Sequence, residues 1–446
     1  MKPRGLLAAV IVLAGLGGAL YWSNRKQKAD AAKPAGDTTA TTKILSIPDD
    51  QIQSVKLQKT GAEATVLQKG SDGKWQIAEP KPQRADQETV KSLVSTLGTL
   101  NADKVVEDKA ADLSAYGLNA PSLDVTITKK DGKSQDFLVG DDTPTGGGSY
   151  AKLSGDPHVY TVASFVKTSI DKTPNDLRDK RLLTFDQDKL TRVELQPAGG
   201  SAIEFGKNNQ NDWQILKPKP LRADGSQVEE LIRKLKDAKM DATISDEDAK
   251  KAAAAYASGA KVATVSVADS SGPETLEIRK DKDKTYYAKS SAVDGIYKVT
   301  ADLGDGLDKK VDDFRNKKLF DFGWTDPSKV EIGKATFEKN ADKWMSGTKQ
   351  MDPSSVQSVV DKLRDLAATK FLDSGGEGAA VLDIAVTSNG GKRVEKVSIV
   401  KQGIKPAETY FAKRENEPSI YVLDGKAVED LQKAVNDVKP AAPPKK

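Results

Sequence analysis

Three lysines stand in one repeated frame, each behind an aromatic residue and an alanine. They are Lys152 after Tyr150-Ala151, Lys289 after Tyr287-Ala288 and Lys413 after Phe411-Ala412. A tyrosine follows each at the same distance, at Tyr160, Tyr297 and Tyr421. Ammonium groups repeated in this way can form a ligand-binding row, and these three are the candidate binding residues of the chain. The plainer reading makes each the outward residue of a strand, where a lysine keeps an edge from pairing with another chain.

Other residues could do chemistry. Asp141-Asp142 followed by Gly146-Gly147-Gly148 offers a cation or phosphate loop, or a carboxylate pair of the kind that hydrolyses glycosides. The stretch lacks the P-loop lysine and the EF-hand spacing, which favours a hairpin loop. His158 is the one histidine, and there is no cysteine. That removes disulfides and thiolate metal sites, and leaves little from which to build a zinc centre or a Ser-His relay. No catalytic constellation, metal site or cofactor motif stands out. Arg84 with Asp86, and Arg222 with Asp224, invite an ion-pair reading, but helix capping accounts for the aspartates. Arg178-Asp179-Lys180-Arg181 and Arg315-Asn316-Lys317-Lys318 are basic clusters that could meet lipid headgroups or an acidic partner. A solvated linker is the commoner explanation.

The elements that must position these residues are written three times. Trp75–Leu100, Trp213–Ala238 and Trp344–Leu366 each read as strand, turn and helix. Apolar residues alternate at Trp75 and Ile77, the period of a half-buried strand. Pro80 and Pro82 then stop the ladder, because proline has no N–H to donate. Asp86, Asp224 and Asp352 stand at helix N-cap positions, Gln227 resembles the far half of a capping box, and Pro353 suits the first helical turn. Val90, Leu93, Val94, Leu97 and Leu100 form one apolar stripe. Val228, Leu231, Ile232, Leu235 and Ala238 repeat it, as do Val356, Val359, Val360, Leu363 and Leu366. The third copy has Met351 where the arginine would be.

Further strands are expected at Lys104–Val106, at Leu123, Val125 and Ile127, and at Phe137–Val139, with a hairpin turn at Asp131-Gly132. In the second repeat Val262, Thr264 and Val267 open the matching hairpin, and Leu276 and Ile278 close it. The third has Leu382, Ile384 and Val386, then Val397 and Ile399, and ends on a helix near Lys426–Val435. A period of about 135 residues is too long for a solenoid and suits tandem domains with their own cores. The predicted fold class is α+β: three related units of mainly antiparallel sheet with one or two packed helices, after one N-terminal transmembrane helix.

The 446 residues carry 69 basic and 65 acidic side chains, well mixed in sign, which argues against a nucleic-acid-binding body. Gly5–Trp22 is an uncharged apolar run ending in Tyr21-Trp22, flanked by Lys2 and Arg4 before and by Arg25, Lys26 and Lys28 after. Its length and aromatic end suit an uncleaved signal-anchor. A cleaved signal peptide is the alternative, with small residues at Gly17-Gly18-Ala19 and Ala29-Asp30-Ala31. The organisation expected is an anchor over 1–26, a flexible tether over 27–42, units at 43–179, 180–316 and 317–438, and a disordered tail over 439–446.

The order of motifs resembles a bacterial family catalogued as domain of unknown function 4340. Here the motifs are Trp75 to Pro80, Arg84 to Asp86, Tyr116 to Pro121, Tyr150 to Lys152 and Leu177 to Leu183. The resemblance covers most of residues 43–320, with the third unit a degenerate copy. It implies one membrane segment, a body outside the cytoplasm at the bacterial inner membrane, and an association with gliding-motility-type ABC transport systems. It transfers no catalytic residue. The function expected is therefore a membrane-tethered extracytoplasmic binding or scaffold protein, not an enzyme, serving an ABC-type transport or envelope complex. The alternatives are an envelope polysaccharide-acting enzyme, with Asp141 and Asp142 as its lead, and a periplasmic small-molecule binder with its ligand between units.

Overall fold

The computed structural model describes residues 42–241, 246–404 and 407–442. The expected anchor, all of the tether but Thr42, and the last four residues of the expected tail lie outside the described residues. No helix among the described residues is long and apolar enough to cross a membrane. The chain divides into two compact units, one ending at Lys180 and the other beginning at Arg181. The first holds one copy of the repeat and the second holds two.

Each copy is a sheet made from two four-stranded meanders. In the first, Ile52–Lys59, Thr65–Lys69, Trp75–Glu79 and Gln83–Arg84 run outward to one edge. The helix Gln87–Gly98 then carries the chain back, and Leu123–Lys129, Ser134–Asp142, Gly148–Leu153 and Val159–Ala163 run outward the other way. The first strands of the two meanders pair along the centre, with Val55 opposite Ile127 and Leu57 opposite Val125. Every pairing is antiparallel, as hairpin connections require. The second and third copies repeat this plan, with central pairs Val193–Val267 and Leu195–Val265, then Val330–Val386 and Ile332–Ile384. After the helix, Lys104–Glu107 and Ala368–Leu372 close the far edge of the first and third sheets. In the second copy the helix Asp246–Ser258 follows instead.

The stripes do what their spacing predicts. Val90, Leu93, Val94, Leu97 and Leu100 are all buried, and so are their counterparts in both other copies. Removing five such side chains from water stabilises each module by about 10 kcal/mol before chain entropy is counted. Each stripe joins a separate core cluster made with the strands of its own sheet. The caps form as well: Asp86 accepts from the Thr89 N–H, Asp352 from Ser355, and Asp224 from Ser226 and Gln227. Gln227 contributes its backbone N–H to that cap, not the side-chain return expected of a capping box. The first helix ends at Gly98, two residues short of the stripe, because the chain crosses there: Ile47 N–H donates to the Gly98 carbonyl at 2.8 Å, and a Cβ on Gly98 would lie 2.7 Å from the Ile47 oxygen.

The three indoles share one environment. Lys69 is opposite Trp75 across the strand pair, Lys207 opposite Trp213 and Lys339 opposite Trp344. The ammonium groups stand 5.7, 4.9 and 5.8 Å from the ring centres, within cation–π range.

Two expectations change. In the second repeat the inward residues are Ala263, Val265 and Val267, not Val262 and Thr264. Pairing runs unbroken from Ala263 to Asp269, so the inward phase is that of Val267, with which Val262 and Thr264 are out of step. Also, the tail does not come loose at Lys439. The Asp352 N–H donates to the Lys439 carbonyl, and the Ala441 N–H to the Gln350 carbonyl, so this stretch pairs alongside Met351.

Candidate binding cleft

Within the second unit, the segment Leu221-Arg222-Ala223-Asp224 ends the outer strand of the second repeat and caps its helix. The incoming stretch Phe314–Asn316 zips along it: Asp224 N–H donates to the Phe314 carbonyl, and Asn316 N–H to the Arg222 carbonyl. That backbone pairing aims the Arg222 side chain into a nest of acceptors supplied by the third repeat. Its guanidinium bonds Asp321 and the Lys318 carbonyl and reaches the Tyr421 hydroxyl at 3.2 Å. Nε lies 3.0 Å from Glu417 Oε1, an ion pair outside hydrogen-bond geometry that leaves the Nε N–H without a hydrogen-bond partner. The side chain is only 15% exposed.

A second arginine shares the nest. Arg414 pairs with Glu417 at 2.7 Å and with Glu395 at 3.0 Å, and also bonds the Leu319 carbonyl. Glu395 accepts in turn from the Asp321 N–H. Buried charges of opposite sign, each with several hydrogen bonds, meet the condition under which such pairs hold together. Burial raises the Tyr421 hydroxyl to about 12; its bond to Glu417 pushes the same way, while Arg222 opposes it. For Arg222, burial works against its charge, but Asp321, Tyr421 and Glu417 outweigh that and raise its pKa further.

Beside this network a cleft of about 580 Å³ opens, walled by Trp213, Gly225, Asp212, Arg393, Arg222 and Glu395. Arg393 crosses its mouth, bonding Asp212 at 2.8 Å, Gln210 at 2.9 Å and the Asp321 carbonyl at 2.9 Å. The Trp213 indole N–H is buried there with no hydrogen-bond partner. Its volume falls in the range of small-ligand sites.

The sequence model of the family described as domain of unknown function (DUF4340) matches residues 75–255 and again residues 213–384. Together the matches run over more than half of the 446-residue chain. The chain belongs to this family. Each match to DUF4340 begins on a repeat tryptophan, Trp75 or Trp213, so the DUF4340 frame starts on the strand that leads into the capped helix and runs on into the next repeat. No curated protein and no solved structure matches the chain.

The other candidate residues fall apart in space or are satisfied locally. Lys289 lies opposite Glu277 and Ile296, and Lys413 opposite Ser398 and Ile420; both are exposed and neither lines the cleft. Lys152 is half-buried and bonds the Asp156 carbonyl. Asp156 gathers the Tyr160 hydroxyl at 2.6 Å and the His158 ring at 2.5 Å, so His158 acts in a loop brace. Asp141 and Asp142 face different partners. Asp142 takes Lys167 at 2.8 Å and Ser149 at 2.7 Å, whereas Asp141 lies against Gly117, whose φ is 67° and where an added Cβ would come within 2.5 Å of the Asp141 carboxyl carbon. Among the described residues no group of three or more His, Cys, Asp or Glu could hold a metal ion. The basic cluster at Arg315 is not a solvated linker. Arg315 is buried, stacks 3.6 Å from the Phe371 ring centre and bonds Ser419 and Asp312.

Sequence reasoning missed the Arg222 nest and the cleft. One signal was present: Gly225 stands twelve residues after Trp213, where Gln87 stands twelve after Trp75.

Proposed function

We propose that this DUF4340 protein is a membrane-tethered, extracytoplasmic binding or scaffold protein, held in the inner membrane by one N-terminal segment. It serves a transport or envelope complex of the ABC type. The observation that carries this reading is the Arg222 nest. A charged joint satisfied within the chain fixes neighbouring modules as a stiff arm, which is what presenting a surface at a distance from an anchor requires. The apolar run Gly5–Trp22, followed by a Pro-, Gly- and Thr-rich stretch, supports the tether. Mild crosslinking in membranes and affinity purification of the full chain tests the assignment. Recovery of an ABC ATPase and its permease is expected, and recovery of the protein alone would count against it.

A further inference from the structure

The first repeat contains its own probe of what the tryptophan strand binds. Gln87, at the first helical position, lays its side-chain amide against the Trp75 backbone. Its Oε1 accepts from the Trp75 N–H at 2.8 Å, and its Nε2 donates to the Trp75 and Ala85 carbonyls, both at 2.9 Å. The amide thereby plays the part of one more strand residue at an edge that the two-residue strand Gln83–Arg84 leaves short.

The second repeat has the same strand, the same cap and the same short outer strand, but Gly225 replaces Gln87. No side-chain hydrogen bond to the Trp213 backbone takes the place of the Gln87 amide among the described residues. The cleft lies at this spot, walled by Trp213 and Gly225. A Cβ on Gly225 would sit 3.6 Å from Trp213 Cδ1, the ring atom next to the orphaned indole N–H. The third repeat puts the Pro353 ring at this position.

From this we infer that the cleft of the second repeat binds a carboxamide, the side chain of a glutamine on an extended peptide. The ligand amide takes the place that Gln87 fills in the first repeat. Its oxygen accepts from the Trp213 N–H, its nitrogen donates to the Trp213 carbonyl, and the indole N–H supplies a further donor. Arg393 and Asp212 at the mouth meet the peptide's flanking carbonyl and N–H groups. The inference does not depend on the membrane assignment, since it rests on the internal comparison of repeats.

Full-length protein labelled with 5-fluorotryptophan reports each of its five indoles by fluorine NMR, and Trp213→Phe identifies the resonance in question. N-acetyl-glutamine N-methylamide, whose only primary carboxamide is the side chain, should shift the Trp213 resonance saturably. Its glutamate analogue should bind at least about tenfold more weakly, because a carboxylate cannot donate to the Trp213 carbonyl. A peptide with glutamine at its centre should bind more tightly than the blocked amino acid; equal affinity would assign the site to small amides instead. Gly225→Gln should move the Trp213 resonance without ligand, abolish the response and leave the melting temperature no lower, since the ordinary contact at 3.6 Å admits a side chain. The inference is overturned if the Trp213 resonance stays fixed up to the solubility limit of the probe, if amide and carboxylate bind alike, or if a folded Gly225→Gln protein responds like the wild type.

Discussion

Arg222→Met is the most direct test of the joint between the second and third repeats. Methionine is chosen because it keeps much of the arginine's length without its charge; in register the third repeat has Gln350 at this place, and Met351 corresponds to Ala223 instead. The substitution removes the partner of Asp321 and one partner of Glu417 while leaving both carboxylates in the nest. Breaking a buried pair from one side costs about 3–5 kcal/mol. The lower end applies here. Glu417 keeps Arg414 at 2.7 Å, Asp321 keeps Asn316 at 2.8 Å, and Asp321 is already 27% exposed. In a body of this size a loss of about 3 kcal/mol lowers the melting temperature by about 6–12 °C. Differential scanning calorimetry of the full chain reads this directly. Arg233→Ala, which breaks only exposed pairs with Glu230 and Asp237, is the control and should leave the transition where it was. If Arg222→Met melts with the control, the nest does not hold the modules together and the stiff-arm argument fails.

Three more outcomes follow from the geometry. For Asp156, burial raises the carboxyl, but hydrogen bonds from Tyr160 and His158 more than offset it and bring it down to about 2. The folded-state pKa is depressed, so its contribution is present above the ordinary carboxylate range and is lost as pH falls from about 4 to 2. Asp156→Asn should flatten the acid limb of stability in that window; an unchanged limb would remove the brace. Asp352→Ala, read by urea unfolding, should cost about 1 kcal/mol as the loss of a helix cap. Leu363→Ala, at a fully buried stripe position, should cost about 2–5 kcal/mol in the same assay, and a value under the cap's would mean the stripe does not face the core.

The residues that make local structure were readable; those that join distant segments were not. Asp86, Asp224 and Asp352 cap helices because a carboxylate satisfies free amides two or three residues ahead, and that rule needs no knowledge of the fold. The stripe from Val90 to Leu100 declares its face by spacing alone. Repetition added the rest, since a weak strand signal written three times becomes a strong one. Arg222 shows the limit. Its partners Asp321 and Glu417 stand 99 and 195 positions along the chain, and nothing at Arg222 names them. Val262 shows another: with Thr264 it is out of step with Val267, and small Ala263 takes the inward place because the unbroken pairing keeps Val267's phase. The cleft is legible only by subtraction, from a glycine where a sister repeat has a glutamine.

Chains built from repeated parts face a sorting problem as they fold, because any copy can mistake a cousin for its proper neighbour. The nest around Arg222 works against that error. Its lock is written in Asp321, Glu395, Arg414 and Glu417, whereas the corresponding places in the first repeat are Ser46, Gln135, Leu153 and Asp156. A guanidinium whose acidic partners are supplied by the third repeat and not by the first distinguishes the right neighbour from the wrong one.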